Sequence, residues 1–218
     1  MSAANDSIAV TPGSGALVAT HSPGDGKEYQ VVMIAEPNGD LQGLSPRYRF
    51  ISTSSTVGAN KVHCDLFNAT GSGVVLRVRS VFVYPDFDTA VTGVVALEAA
   101  LTRTTTVGTG GTAATNESTS LTAPTISKLD TASPSLPAQV TARLAPAGGA
   151  TAGAYLGSRW VFTEETNAGT AIAGAVGADL IRNEGADLMV REGEGVRVVQ
   201  GAVASVGSIA VEINFEVV

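Results

Sequence analysis

The chain has 218 residues, of which 44% are hydrophobic, 5% aromatic and 15% charged, with 25 glycines and a formal charge of −7. This length suits one all-β domain or two small ones, and the Gly, Thr and Ser content favours short strands and tight turns over long helices. The acidic balance argues against general affinity for nucleic acid, which needs clustered Lys and Arg, and the lone Cys64 excludes an intramolecular disulfide. No apolar run reaches the roughly 18 to 20 residues that a bilayer-spanning helix needs.

Residues 1–26 are rich in Ser, Gly, Pro and Ala, with one apolar patch at Ala16-Leu17-Val18. This is the composition of an extended arm that orders only against a neighbouring subunit. Met1 to Gly15 has no Lys or Arg and no apolar signal core, so the intact chain is expected to be the working protein.

Strands are expected in a steady series from there. Tyr29 to Ile34 ends at the turn signal Pro37-Asn38-Gly39-Asp40. Tyr48 to Ile51 and Val62 to Phe67 follow, then a Gly-rich turn and the long run Val74 to Tyr84. Inside that run the apolar phase changes, from Val74, Leu76 and Val78 to Val81 and Val83, which predicts a bulge near Arg79-Ser80. Val91 to Thr104 alternates as a strand does, and its threonines favour that state over a helical turn. Residues 107–137 read as one long irregular stretch containing a short strand around Leu121 to Leu129.

Gln139 to Leu144, Ala154 to Thr163, a doubtful Ile172 to Ile181, Leu188 to Arg191 and Val196 to Gln200 come next, with Glu192-Gly193-Glu194-Gly195 as a turn. The last strand is the clearest. From Ser208 to Val217, the residues Ile209, Val211, Ile213, Phe215 and Val217 point one way, and Ala210, Glu212, Asn214 and Glu216 the other. Its polar side is where a neighbouring subunit is expected. About ten strands at this spacing predict an all-β fold, a jelly-roll-like antiparallel β-sandwich spanning 27–218 behind the arm 1–26.

Few residues could carry catalysis. His21 sits in the arm, and His63 and Cys64 are strand neighbours whose side chains must diverge, so they form no nucleophile–base pair. One thiol and two imidazoles are too few for a zinc site. The glycine clusters Gly71-Ser-Gly73, Gly108-Thr-Gly-Gly111 and Gly193-Glu-Gly195 lack the Gly-Lys-Ser/Thr continuation of a phosphate loop and read as turns. Asp86-Phe87-Asp88 and Asn38-Gly39-Asp40 lack the ligand series of a calcium loop. The adjacent Glu164 and Glu165 diverge on a strand and do not make an acid–base pair. Trp160 reads as a core or subunit-contact residue before a sugar platform. Asn116-Glu-Ser118 matches a glycosylation acceptor, but without a signal sequence it carries no weight. No catalytic, cofactor or metal site is therefore expected, and the chain reads as a non-enzyme.

Two stretches carry a resemblance. Asp25-Gly-Lys-Glu-Tyr-Gln-Val-Val-Met-Ile-Ala-Glu-Pro-Asn-Gly-Asp40 resembles a segment near the start of many tailed-bacteriophage virion proteins. Leu188 to Gln200 with its Gly-Glu-Gly turn, followed by Val206 to Glu216, resembles the closing strands of phage jelly-roll proteins. Together they cover about a fifth to a quarter of the chain, and no enzymatic motif comes with them. The resemblance implies a virion structural protein. Its expected form is a head decoration or cement protein, homotrimeric on the capsid surface and assembled in the host cytoplasm. The major capsid protein or other virion proteins would be its partners, with no nucleic acid or membrane. A tail, neck or fibre protein with a receptor- or glycan-binding role is the alternative, in which 107–137 would be the contact loop.

Overall fold

The computed structural model describes residues 17–21, 29–33, 45–86, 91–147, 152–163, 177–181 and 188–218. The chain divides into two compact units, Met1–Ser45 and Pro46–Val218. In the first, β1 (Leu17–His21) pairs antiparallel with β2 (Tyr29–Met33). Of the arm 1–26, β1 is thus the part that lies among the described residues. The turn at 37–40 lies outside them.

The second unit is a β-sandwich. Its first sheet runs β13-β6-β16-β3-β10-β9, with β14 (Leu188–Val190) also on β6 and β4 (Ser55–Thr56) on β16; its second runs β12-β7-β15-β5-β11-β8. The principal strands are β3 (Arg47–Ile51), β5 (Val62–Asn68), β6 (Leu76–Pro85), β7 (Ala96–Thr104), β12 (Ala152–Phe162), β13 (Ala178–Asp179), β15 (Glu194–Gln200) and β16 (Ser208–Val217). The first sheet takes β3, β6, β13 and β16, and the second takes β5, β7, β12 and β15. The chain crosses between sheets at nearly every step, and the last strand lies beside the first. That is the jelly-roll order.

The stretch 107–137 is an insertion into this frame that carries strands of its own. β8 (Thr112–Ala113) and the following β11 (Val140–Leu144) widen the second sheet beyond β5, while β9 (Thr115–Asn116) and β10 (Thr125–Lys128) widen the first beyond β3. Two-residue strands show no periodicity, so β8 and β9 leave no trace in the pattern.

Leu97 and Leu101 from β7, Val196 and Val198 from β15, and Cys64 and Leu66 from β5 meet Phe50, Ile126, Ile209, Ile213 and Phe215 from the other sheet. Tyr48 and Phe215 stack there with ring centroids 5.6 Å apart. The alternation read for β16 holds over the whole strand, with Ile209, Val211, Ile213 and Phe215 buried. The bulge in β6 is also present: Ser80 pairs with Asn214 but Val78 with Phe215, so Arg79 is the extra residue. It turns Leu76 and Val78 to the same side as Val81 and Val83, and all four are buried. β5 departs from simple alternation, because His63, Cys64, Asp65, Leu66, Phe67 and Asn68 are all buried. A bulge at His63 breaks its phase, and the loop at Gly108 covers Asp65 on its outward side.

Trimming the stacked pair gives a direct test of this core. Phe215→Ala is expected to cost about 3–5 kcal/mol, the usual range for a large buried aromatic. Urea unfolding at neutral pH measures it, and a loss under about 1 kcal/mol would contradict the packing described.

Candidate functional site

The residues read from sequence as possible catalysts are held apart or occupied structurally. Cys64 faces the inter-sheet core, and burial, then the nearby Asp65 charge, pushes its thiol well above the ordinary range. His63 is the extra residue of a bulge in β5, since Val198 pairs with Cys64 but Val199 with Val62, and its Nδ1 lies 2.9 Å from Ser55 Oγ with Gln200 beside the ring. On the outward side of the sheet, the register aligns Thr102, Arg197, Asp65 and Arg143 across four strands. Arg197 Nε donates to Thr102 Oγ1 at 3.0 Å, and the Gly108 N–H donates to Asp65 Oδ2 at 2.7 Å. A Cβ at Gly108 would collide with that oxygen and with Pro146, so only glycine lets the loop close over Asp65. Burial raises the Asp65 pKa, and the Gly108 N–H and Arg143 pull it part of the way back. This cluster is sealed, and it ties the insertion to the sheet.

The turn Gly71-Ser-Gly73 does form an anion cradle, of the kind successive backbone N–H groups make. Its anion is the chain's own Glu192, which accepts from the Gly73 N–H at 2.6 Å and the Gly71 N–H at 3.2 Å. Those two donors hold the Glu192 carboxyl below its usual range. Gly193 beside it, at φ 78°, makes the tight turn between β14 (Leu188–Val190) and β15. Residues 164–165 and 87–88 lie outside the described residues, as do the side chain of His21 and residues 172–176. Among the described residues no group of three or more His, Cys, Asp or Glu is placed to hold a metal ion, and no helix is long and apolar enough to cross a membrane.

Two surfaces remain open. On β12, an edge strand of its sheet, Trp160 is 61% exposed and Tyr155 62%, with Phe162 also exposed. Trp160 is therefore not a core residue. It pairs with Glu98 on β7, whose carboxylate accepts from Ser158 Oγ at 2.5 Å, while Ser158 Oγ accepts from Tyr155 Oη at 2.7 Å. That chain fixes the polar ends of the strip and leaves its rings facing outward.

The second surface lies on the outward side of β3, β6 and β16. Arg47 and Arg49 alternate with the buried Tyr48 and Phe50, and Arg77 and Arg79 flank the buried Val78. Glu216, whose side chain is only 5% exposed, is the carboxylate partner of Arg47, Arg77 and Arg79. Arg79 Nη2 approaches it at 2.7 Å, Arg47 Nε at 3.0 Å and Arg77 Nη1 at 3.7 Å. Burial works to raise the Glu216 pKa, but the Arg79 hydrogen bond and the surrounding guanidinium charges hold it below the ordinary value. Arg49 Nε bonds Asn214 Oδ1 at 2.9 Å and Glu212 Oε1 at 3.3 Å. On the polar side of β16, where a neighbouring subunit was expected, Glu216 is enclosed by arginines, and Ala210, paired with Tyr84, is buried. The signal for this surface was present in the sequence as Arg-Tyr-Arg and Arg-Val-Arg, two strands each with a basic outward side. No family model, curated protein or solved structure matches the chain.

His63 gives the sandwich a defined pH response. Burial first, and Lys61 second, push its pKa down to about 4 from 6.5, with Gln200 opposing. The unfolded chain therefore takes up a proton near pH 6.5, while the folded chain resists until about pH 4. Stability is complete above that window, falls as pH drops through it, and levels off below, a change on the order of 3 kcal/mol. Urea unfolding of wild type and His63→Gln across the window checks this. The variant is expected to lose most of the slope, and an equal slope in both would assign the response to other groups.

Proposed function

We propose that the chain is a non-enzymatic structural protein of a bacteriophage virion, a head decoration or cement protein that binds and stabilises the capsid shell. The observation that carries this reading is the exposed aromatic strip Tyr155, Trp160 and Phe162 on β12. Large exposed rings rimmed by polar groups are characteristic of protein contacts, where Trp and Tyr supply most of the binding energy. The buried roles of His63, Cys64 and Asp65 fit a protein whose work is done on its surface. The phage resemblance of Asp25–Asp40 and of the closing strands supplies the setting. A homotrimer on the shell fits the same reading, since symmetry multiplies modest contacts into firm attachment.

A tail, neck or fibre location with a receptor- or glycan-binding role is the second reading. It rests on Leu121, 94% exposed at the tip of the insertion, where Ser118 and Ser120 hydroxyls accept from the backbone N–H groups of Ser120 and Thr122. A built loop with an apolar tip suits recognition.

Gold-labelled antibody on virions of the encoding phage separates the two. Label over the head is expected, and label at the tail would overturn the decoration role. Trp160→Ala with Phe162→Ala is expected to weaken binding to purified heads by about tenfold or more while leaving the melting temperature unchanged. Undiminished binding would remove the strip from the contact. Mass photometry of the isolated protein is expected to give a trimer, and a persistent monomer would count against that state.

A further inference from the structure

Arg47, Arg49 and Arg79 border an open basin of about 330 Å³ on the outward side of the first sheet, with Asn214, Glu216 and Leu129 completing its wall. The contacts of Arg47 with Glu216 and of Arg49 with Glu212 and Asn214 run through Nε. Among the described residues no hydrogen bond engages their Nη groups, and their side chains are 60% and 40% exposed. Each guanidinium is anchored along one edge and presents its terminal amino groups to the basin, so the two forks are oriented before any ligand arrives.

We propose that this basin docks an acidic segment of a partner protein, with an Asp or Glu carboxylate received by Arg47 and Arg49. Planar guanidinium forks match carboxylates in a bidentate way and are less costly to desolvate than ammonium groups. Glu216, locked below the surface, holds the cluster together without filling the basin. The half-exposed Leu129 at the rim offers an apolar surface for the methylene groups next to an entering carboxylate. Charge complementarity favours this occupant over a polynucleotide. The basin is a single hollow flanked by Glu212 and Glu216, on a chain of net charge −7, whereas a nucleic acid backbone requires a run of cations along its length. The proposal concerns the isolated sandwich and stands whether or not the virion reading does.

The test uses the full chain and a fluorescein-labelled hexaglutamate peptide, followed by anisotropy at low ionic strength and again with added salt. Wild type is expected to bind the peptide, and added salt to weaken it. Arg47→Gln with Arg49→Gln is expected to lose affinity by about tenfold or more, in line with the loss of at least one charge-assisted hydrogen bond. The double Lys variant, which keeps the charge and loses the fork, is expected to fall between the two. Because Arg77 and Arg79 still hold Glu216, an unchanged melting curve is expected for both variants. No binding to wild type, equal binding to the Gln variant, or tighter binding of a labelled hexathymidylate strand would each overturn the proposal.

Discussion

β16 has two long neighbours, and both must meet it with apolar side chains on the same side of the sheet. β3 does so by plain alternation, setting Tyr48 and Phe50 against Phe215 and Ile213. β6 cannot, because its apolar residues change phase halfway along. The extra residue at Arg79 absorbs the difference, so that Leu76, Val78, Val81 and Val83 all face Val217, Phe215, Ile213 and Val211. A bulge re-aims a strand at the cost of one unpaired residue. Here that residue is an arginine that swings outward onto Glu216 at 2.7 Å. The core of one face and the charge cluster of the other therefore depend on the same local irregularity.

The two sheets spend their outward sides differently. The first keeps a charged surface, with four arginines around Glu212 and Glu216. The second buries Asp65, in its outward middle, beneath the loop at Gly108. At β12 it shows rings to the outside. A jelly roll with one covered outer side and one charged outer side is chemically two-faced, and the two open surfaces are suited to different kinds of contact. Aromatic rings gain from excluding water, while guanidinium forks gain from meeting a carboxylate.

Much of the fold was legible in the sequence, for a physical reason. Strands with one wet and one dry face must alternate, so β16 could be read to its ends and the bulge could be placed within a residue of Arg79. β5 was harder, since a bulge at His63 breaks its phase and a loop covers Asp65, so that both are buried among polar partners that no local pattern announces. Trp160 stayed open between core and subunit contact, because an exposed ring on an edge strand has the same spacing as a buried one, and its exposure removes the core. β8 and β9 were invisible, being held by their neighbours and not by their own composition. The charged surface could have been found, since Arg47, Arg49, Arg77 and Arg79 fall at spacings of two on strands whose alternate residues are apolar. What the sequence could not supply was that both strands flank the same glutamate.

The position of β16 also sets the order in which the molecule can be assembled. It lies between β3 and β6, pairing with β6 from Ile209 to Val217 and with β3 from Glu212 to Glu216. Until it arrives, those two strands face a gap one strand wide, and the apolar layer beneath them has no roof. The contact that closes the sheet joins residues more than a hundred positions apart, such as Arg49 and Asn214. Folding is therefore governed by long-range loop closure and belongs to the slow, millisecond-to-second range of all-β chains. A nascent chain lacking β16 would expose two long edges at once, the condition under which strands seek partners in other molecules.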